Sequence, residues 1–96
     1  MRYRRATTPG ATYFFTVNLA ERKSRLLVDY VDNLKASIIH VKTAHPFVID
    51  AMVIMPNHLH TIWTLPEGDS DFSTRWNLIK GGFSRRITKG GIVNEV

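Results

Sequence analysis

His58 and His60 stand one residue apart at the head of the run HLHTIWTL. On a β-strand, residues i and i+2 share a face. Two imidazoles at this spacing lie about 6.5–7 Å apart along the chain, and two neutral ring nitrogens can share one divalent cation. The spacing is equally compatible with an ordinary strand, in which each histidine is hydrogen-bonded and does no chemistry. A cation also needs a third donor. Asp50, on the segment facing the histidines, is a candidate ligand or orienter of one, and a polar group elsewhere in the fold is the alternative. His40 and His45 fall outside this run and are expected as surface or capping residues. The chain has no cysteine, which excludes thiolate ligands and disulfides.

The elements that must position these groups follow from periodicity. ATYFFTVNLA (11–20) is rich in β-branched and aromatic residues and follows Pro9-Gly10, so a strand is expected. Its apolar residues fall on both faces, which suits a central strand. Ser24 is a candidate cap for a helix over 26–43, whose Leu27, Val31, Leu34, Ile38 and Val41 form one stripe. Pro46 ends that helix by disfavouring the helical conformation at His45. FVIDAMVIM (47–55) and HLHTIWTL (58–65) flank Pro56-Asn57 and read as an antiparallel hairpin. Period two places His58, His60, Ile62 and Thr64 on one face of the second strand and Leu59, Thr61, Trp63 and Leu65 on the other.

A second helix opens after a loop at 66–71, with Phe72, Trp76, Ile79 and Phe83 at helical spacing and Asp71 or Ser73 as its cap. Gly81-Gly82 weakens that helix by about 2 kcal/mol relative to alanines, so a kink or fraying is expected there. Trp63 and Trp76 read as core residues. IVNEV (92–96) reads as the opening of a fourth strand, short or incomplete. The order β-α-β-β-α-(β) is the split β-α-β pattern: an α+β, ferredoxin-like fold, with an antiparallel sheet and two helices on one face. The 96 residues fit one domain with a modest core.

Charge adds a partner class. Thirteen Lys and Arg residues stand against eight Asp and Glu, for a net charge of +5. The basic residues gather at Arg2, Arg4 and Arg5, at Arg22, Lys23 and Arg25, and at Arg75, Lys80, Arg85, Arg86 and Lys89. None falls between Thr43 and Thr74, so the histidine segment is free of basic charge while its neighbours supply it. This suits a polyanion held beside a cation site, with Arg4, Arg5, Arg22, Lys23, Arg85 and Arg86 as candidate phosphate contacts. No apolar run reaches the ~18–20 residues of a spanning helix, and the basic N-terminus lacks the apolar stretch of a secretory signal. A cytoplasmic address without membrane attachment is the default expectation.

MPNHLHTIWTLPEGDSDFSTRW (55–76) is the most specific part of a longer likeness over residues 13–86. It combines a His-hydrophobic-His motif, a following aromatic, and the passage into the next helix. The sequence resembles the N-terminal part of the REP-associated tyrosine transposases, in the single-tyrosine branch of the HUH superfamily. The resemblance implies Mg²⁺ or Mn²⁺ on His58 and His60, single-stranded or hairpin DNA as substrate, and cleavage and rejoining through a phosphotyrosine. It also implies a nucleophilic tyrosine and a polar third metal ligand on a later helix, beyond Val96. A C-terminally truncated domain is therefore expected, with strand transfer in doubt. The tyrosines present are Tyr3, Tyr13 and Tyr30. Tyr13 would approach the cation only if the face it shares with Phe15 and Val17 were also the histidines' face; otherwise it is a core aromatic. The alternatives are a non-catalytic nucleic-acid-binding module and a dimerisation domain pairing through a sheet edge left open by the short fourth strand.

Overall fold

Alternating burial along two strands fixes which side of the sheet is core. In the computed structural model, which describes residues 11–89, Tyr13, Phe15 and Val17 of β1 (Thr12–Asn18) are buried, as are Leu59, Thr61 and Trp63 of β3 (His58–Thr64). The intervening residues of both strands face outward. β2 (Val48–Ile54) completes a three-stranded sheet of order β1-β3-β2, with both pairings antiparallel. The first and third strands are neighbours, as the split β-α-β order requires. The expected fourth strand at 92–96 lies outside the described residues, and no other described strand pairs with the outer edge of β1.

β2 departs from simple alternation. A bulge between Ile49 and Ala51 shifts its register, so Ile49 opposes Trp63 and Met52 opposes Thr61. Ile49, Met52 and Ile54 are thereby placed against the core, although their spacing of three and two breaks a period of two. The buried Thr61 hydroxyl donates to the Ala51 carbonyl at 2.9 Å, which satisfies a polar group on the core face beside the bulge.

The helices cover one face only. The apolar stripe expected as one helix is divided into α1 (Leu26–Asp29) and α2 (Val31–Ala44) at Tyr30, whose φ of −118° and ψ of 34° leave the helical region. The first turn is held from outside, because the Leu27 amide donates to the Pro56 carbonyl at 3.1 Å in the β2–β3 turn. Its Leu26 and Leu27 are both buried, a demand that a continuous helix with one narrow stripe would not meet. α3 (Phe72–Lys89) runs unbroken through Gly81 and Gly82. A Cβ on Gly82 would lie 2.5 Å from the Ser37 Oγ, so this glycine marks the close approach of α3 to α2. There the buried Ser37 hydroxyl donates to the Ile79 carbonyl at 2.7 Å.

Sheet and helices meet in an aromatic core. Trp63 and Trp76 stack at 4.4 Å between ring centres, and Phe15 meets Trp63 edge-on at 4.9 Å. Both tryptophans are core residues, as their periodic positions imply. Asp71 caps α3 through its carboxylate, which accepts from the Thr74 amide at 3.1 Å. Arg75, counted by charge among the basic residues, is 3% exposed and serves the fold. Its guanidinium donates to the carbonyls of His45, Pro46 and Asp71 and to both carboxylate oxygens of Asp69. One side chain thus fastens the connections on either side of the hairpin to the first turn of α3.

Candidate metal centre

His58 and His60 project from β3 onto the face that the helices leave open. Register places Thr16 opposite His60 and Asn18 opposite His58 on β1, and Val53 opposite His60 on β2. The two imidazole centres are 5.2 Å apart with an interplanar angle of 79°, so the rings lean together more closely than the strand spacing alone requires. Two imidazoles bound to one cation at ~2.1 Å would have ring centres roughly 5 Å apart. The pair fits that requirement.

Each ring is held through Nδ1. His60 Nδ1 shares a hydrogen bond with the Thr16 hydroxyl at 3.1 Å, and the ring stacks on Phe14 at 6.0 Å between centres. His58 Nδ1 is hydrogen-bonded to the Asn57 Oδ1 at 2.8 Å. Each histidine therefore keeps Nε2 outside these bonds, the pattern of ligating imidazoles whose second nitrogen is anchored by a neighbour. Beside His60, Phe14, Ala51, Val53 and Ile62 line a shallow apolar depression of about 120 Å³. Phe14 is 48% exposed and is the apolar residue on the open face of β1, which it shares with Thr12, Thr16 and Asn18.

Asp50 is not the third donor. It accepts from the Thr64 hydroxyl at 2.7 Å, at the far end of the hairpin. Thr64 lies four residues beyond His60, roughly 13 Å along the strand. Among the described residues no cluster of three or more His, Cys, Asp or Glu side chains could hold a metal. Among the described residues, His58 and His60 therefore stand as a pair with no third such side chain grouped beside them. Tyr13 is excluded from their face by parity: it is 2% exposed on the core face, opposite the histidines, against Phe15 and Phe72. Tyr30 packs against the same core at the α1–α2 junction, and Tyr3 lies outside the described residues.

The candidate phosphate contacts divide. Arg22 and Lys23 are exposed in the β1–α1 connection and, with Ala20, Glu21 and Asn57, line an open cleft of about 600 Å³. Asn57 adjoins His58 in sequence, so this basic rim borders the histidine end of β3. The rim is latched to the β2–β3 turn: the Leu19 amide donates to the Asn57 carbonyl at 2.9 Å, and the Asn57 side-chain amide donates to the Arg22 carbonyl. Arg85 and Arg86 belong to α3 in the helical layer, across the sheet from the histidines. Arg85 is exposed, whereas Arg86 is half-buried and donates to the Gly82 carbonyl at 3.1 Å. Arg4 and Arg5 lie outside the described residues.

Sequence reasoning did not single out Thr16, Asn57 or Phe14. Strand parity offers a signal for Thr16 only after the β1–β3 register is known. Asn57 was available as the neighbour of His58, but its partner Arg22 is 35 positions away.

No protein-family model matches the chain. It is 54% identical over 82 residues to the REP-associated tyrosine transposase of Escherichia coli K12, a match covering 85% of this chain and 50% of that protein. A Haemophilus influenzae protein named after the same family is 34% identical over 87 residues, covering 91% of this chain and 49% of its own length. The chain therefore spans about half the length of these curated relatives. Among solved structures, a REP-associated tyrosine transposase bound to a REP hairpin superposes with a TM-score of 0.85 at 50% identity, covering 92% of this chain and 53% of that one. A Deinococcus radiodurans protein at 19% identity and a TM-score of 0.65, covering 94% of this chain and 68% of that one, shares the fold alone.

Proposed function

From a chain related over most of its own length to the REP-associated tyrosine transposases, we propose a DNA-binding function: single-stranded or hairpin DNA held across the open face of the sheet, beside a divalent cation on His58 and His60. The observation that carries this reading is the pair of leaning imidazoles, each anchored through Nδ1, beside a basic rim. A bound Mg²⁺ or Mn²⁺ would supply Lewis-acid polarisation of a phosphodiester; imidazole ligands suit Mn²⁺ at least as well as Mg²⁺. Asn57 and Thr16 orient the two rings, and Arg22 and Lys23 hold backbone phosphates at the cleft. Arg85 and Arg86 lie in the other layer, so strand contacts there would be peripheral to the cation.

Cleavage and rejoining of the strand would require an attacking hydroxyl. Among the described residues, Tyr13 is buried in the core and Tyr30 is half-buried against it. The reading therefore assigns this chain DNA and cation binding, with the nucleophile drawn from residues other than these. Binding of a labelled hairpin oligonucleotide across a salt series tests the DNA assignment. The affinity should fall steeply with salt, and Arg22→Ala with Lys23→Ala should flatten the slope by about 0.7 per lost contact. A salt-independent affinity would refute the reading.

A second reading is pairing of two copies through the outer edge of β1, a strand that spends its described ladder bonds on β3 at its other edge. Sedimentation at rising concentration tests it, and a constant monomer mass would rule it out. No helix among the described residues is long and apolar enough to cross a membrane.

A further inference from the structure

We infer that Asn57 is a positioning residue that sets the tautomer of His58, with the backbone carbonyl of Arg22 as its anchor; this rests on the reading of His58 as a metal ligand. The argument is one of donors and acceptors. A carbonyl oxygen can only accept, so the end of the Asn57 amide that meets Arg22 O is its NH₂ group. That orientation directs Oδ1 to His58 Nδ1, 2.8 Å away. Oδ1 also only accepts, so Nδ1 carries the hydrogen. A neutral imidazole has one such hydrogen, and Nε2 is left with a bare lone pair.

The direction of this effect matters for binding. An imidazole free in water favours hydrogen on Nε2, the arrangement that would block the outward nitrogen. Asn57 reverses that preference before any cation arrives. His60 provides an internal contrast, because the Thr16 hydroxyl can donate or accept and imposes neither tautomer. The anchor is secure: the Asn57 carbonyl accepts from Leu19 and the Pro56 carbonyl from Leu27, so the turn is tied to both ends of the 19–27 connection. The same connection carries Arg22 and Lys23, so one asparagine links the basic rim to the orientation of a metal-binding nitrogen.

Long-range proton–nitrogen NMR correlations on the metal-free full chain at pH about 8, above the ordinary imidazole range, read the tautomer directly. His58 should carry its hydrogen on Nδ1, and His60 should show a mixture. Asn57→Ala should move His58 toward the Nε2–H form and weaken Mn²⁺ binding by about 10-fold or more. Asn57→Asp retains an acceptor for Nδ1 but loses the donor to the Arg22 carbonyl, so it should keep more of the Nδ1–H form than Asn57→Ala and bind Mn²⁺ with an affinity between that variant and the wild type. An Nε2–H form of His58 in the wild type, or an unchanged tautomer in a folded Asn57→Ala variant, would overturn the inference. The wild-type spectrum decides the matter even if the alanine variant does not fold. A wild type that has Nδ1–H on His58 yet binds no Mn²⁺ would support the tautomer assignment and overturn the cation reading.

Discussion

Thr16 and His60 stand directly opposite each other on β1 and β3, and the threonine hydroxyl meets His60 Nδ1 at 3.1 Å. This cross-strand pair holds one of the two imidazoles and lies on the open face, away from the core. Thr16→Val keeps the β-branched shape that strands favour and removes only the hydroxyl. Stability by urea denaturation should change by less than about 1 kcal/mol. Mn²⁺ affinity, measured by calorimetry, should fall about 10-fold because the ring loses its anchor. Equal affinity would show that Thr16 does not orient His60.

Gly81 and Gly82 are adjacent in one helix but differ in surroundings. An added methyl at Gly82 would meet the Ser37 Oγ at 2.5 Å and force apart the contact that carries the buried Ser37–Ile79 bond. At Gly81 the nearest atom is the Arg85 Nη1 at 3.2 Å, the far end of a flexible side chain. Gly82→Ala should therefore destabilise by about 1–3 kcal/mol despite its better helix propensity. Gly81→Ala should be neutral or stabilise by up to about 1 kcal/mol. Denaturant midpoints of the two variants measure the difference, and similar shifts would contradict the assignment of Gly82 as the contact point.

The Asp69–Arg75 pair predicts acid sensitivity. Hydrogen bonding from Arg75, and then from the Asp71 amide, holds the Asp69 carboxyl below the usual carboxylate range. The Thr74 side chain and amide do the same for Asp71. A carboxyl with a lowered pKa in the folded state contributes stability that is fully present above its unfolded value, about 3.9. That contribution is lost as pH falls below this value and through the lower folded pKa. Urea midpoints should change little on account of these two groups from pH 8 to about 5 and decline below about 4. Asp69→Asn should lower stability at neutral pH and shrink the acid-dependent decline. An unchanged acid profile would sink this account. Arg75→Ala, which leaves the carboxylate and three carbonyls without their donor, should destabilise by about 3 kcal/mol or more.

Much of this architecture is legible from local pattern. Alternation along 58–65 puts His58 and His60 on one face and Trp63 on the other, and that is how β3 folds. Spacing at Phe72, Trp76, Ile79 and Phe83 anticipates the buried face of α3. What pattern could not supply is contact between distant segments. The Tyr30 break goes with a bond from Leu27 to Pro56, and the need for glycine at position 82 comes from the close approach of Ser37. Asp50 lies across the hairpin from the histidine strand in sequence, but the bulge beside it and its bond to Thr64 hold it at the end away from His58 and His60. Arg75 counts as one more positive charge in composition, but its burial removes it from any surface. At the site itself, the two ligand candidates were readable from their spacing and from the family resemblance. Their orienting partners Thr16 and Asn57 emerge only from strand register and from a bond across 35 positions.

Calorimetric titration of Mn²⁺ into the wild type, His58→Ala and His60→Ala is the most direct measurement of whether the imidazole pair holds a cation. Losing an orienting partner alone weakens a metal site by about 10–100-fold, so loss of a ligand should exceed that range. The wild type should bind one equivalent, and each variant should bind more than about 100-fold more weakly while keeping its circular dichroism spectrum. Equal Mn²⁺ affinity in the wild type and both folded variants would contradict the assignment of His58 and His60 as the cation's ligands.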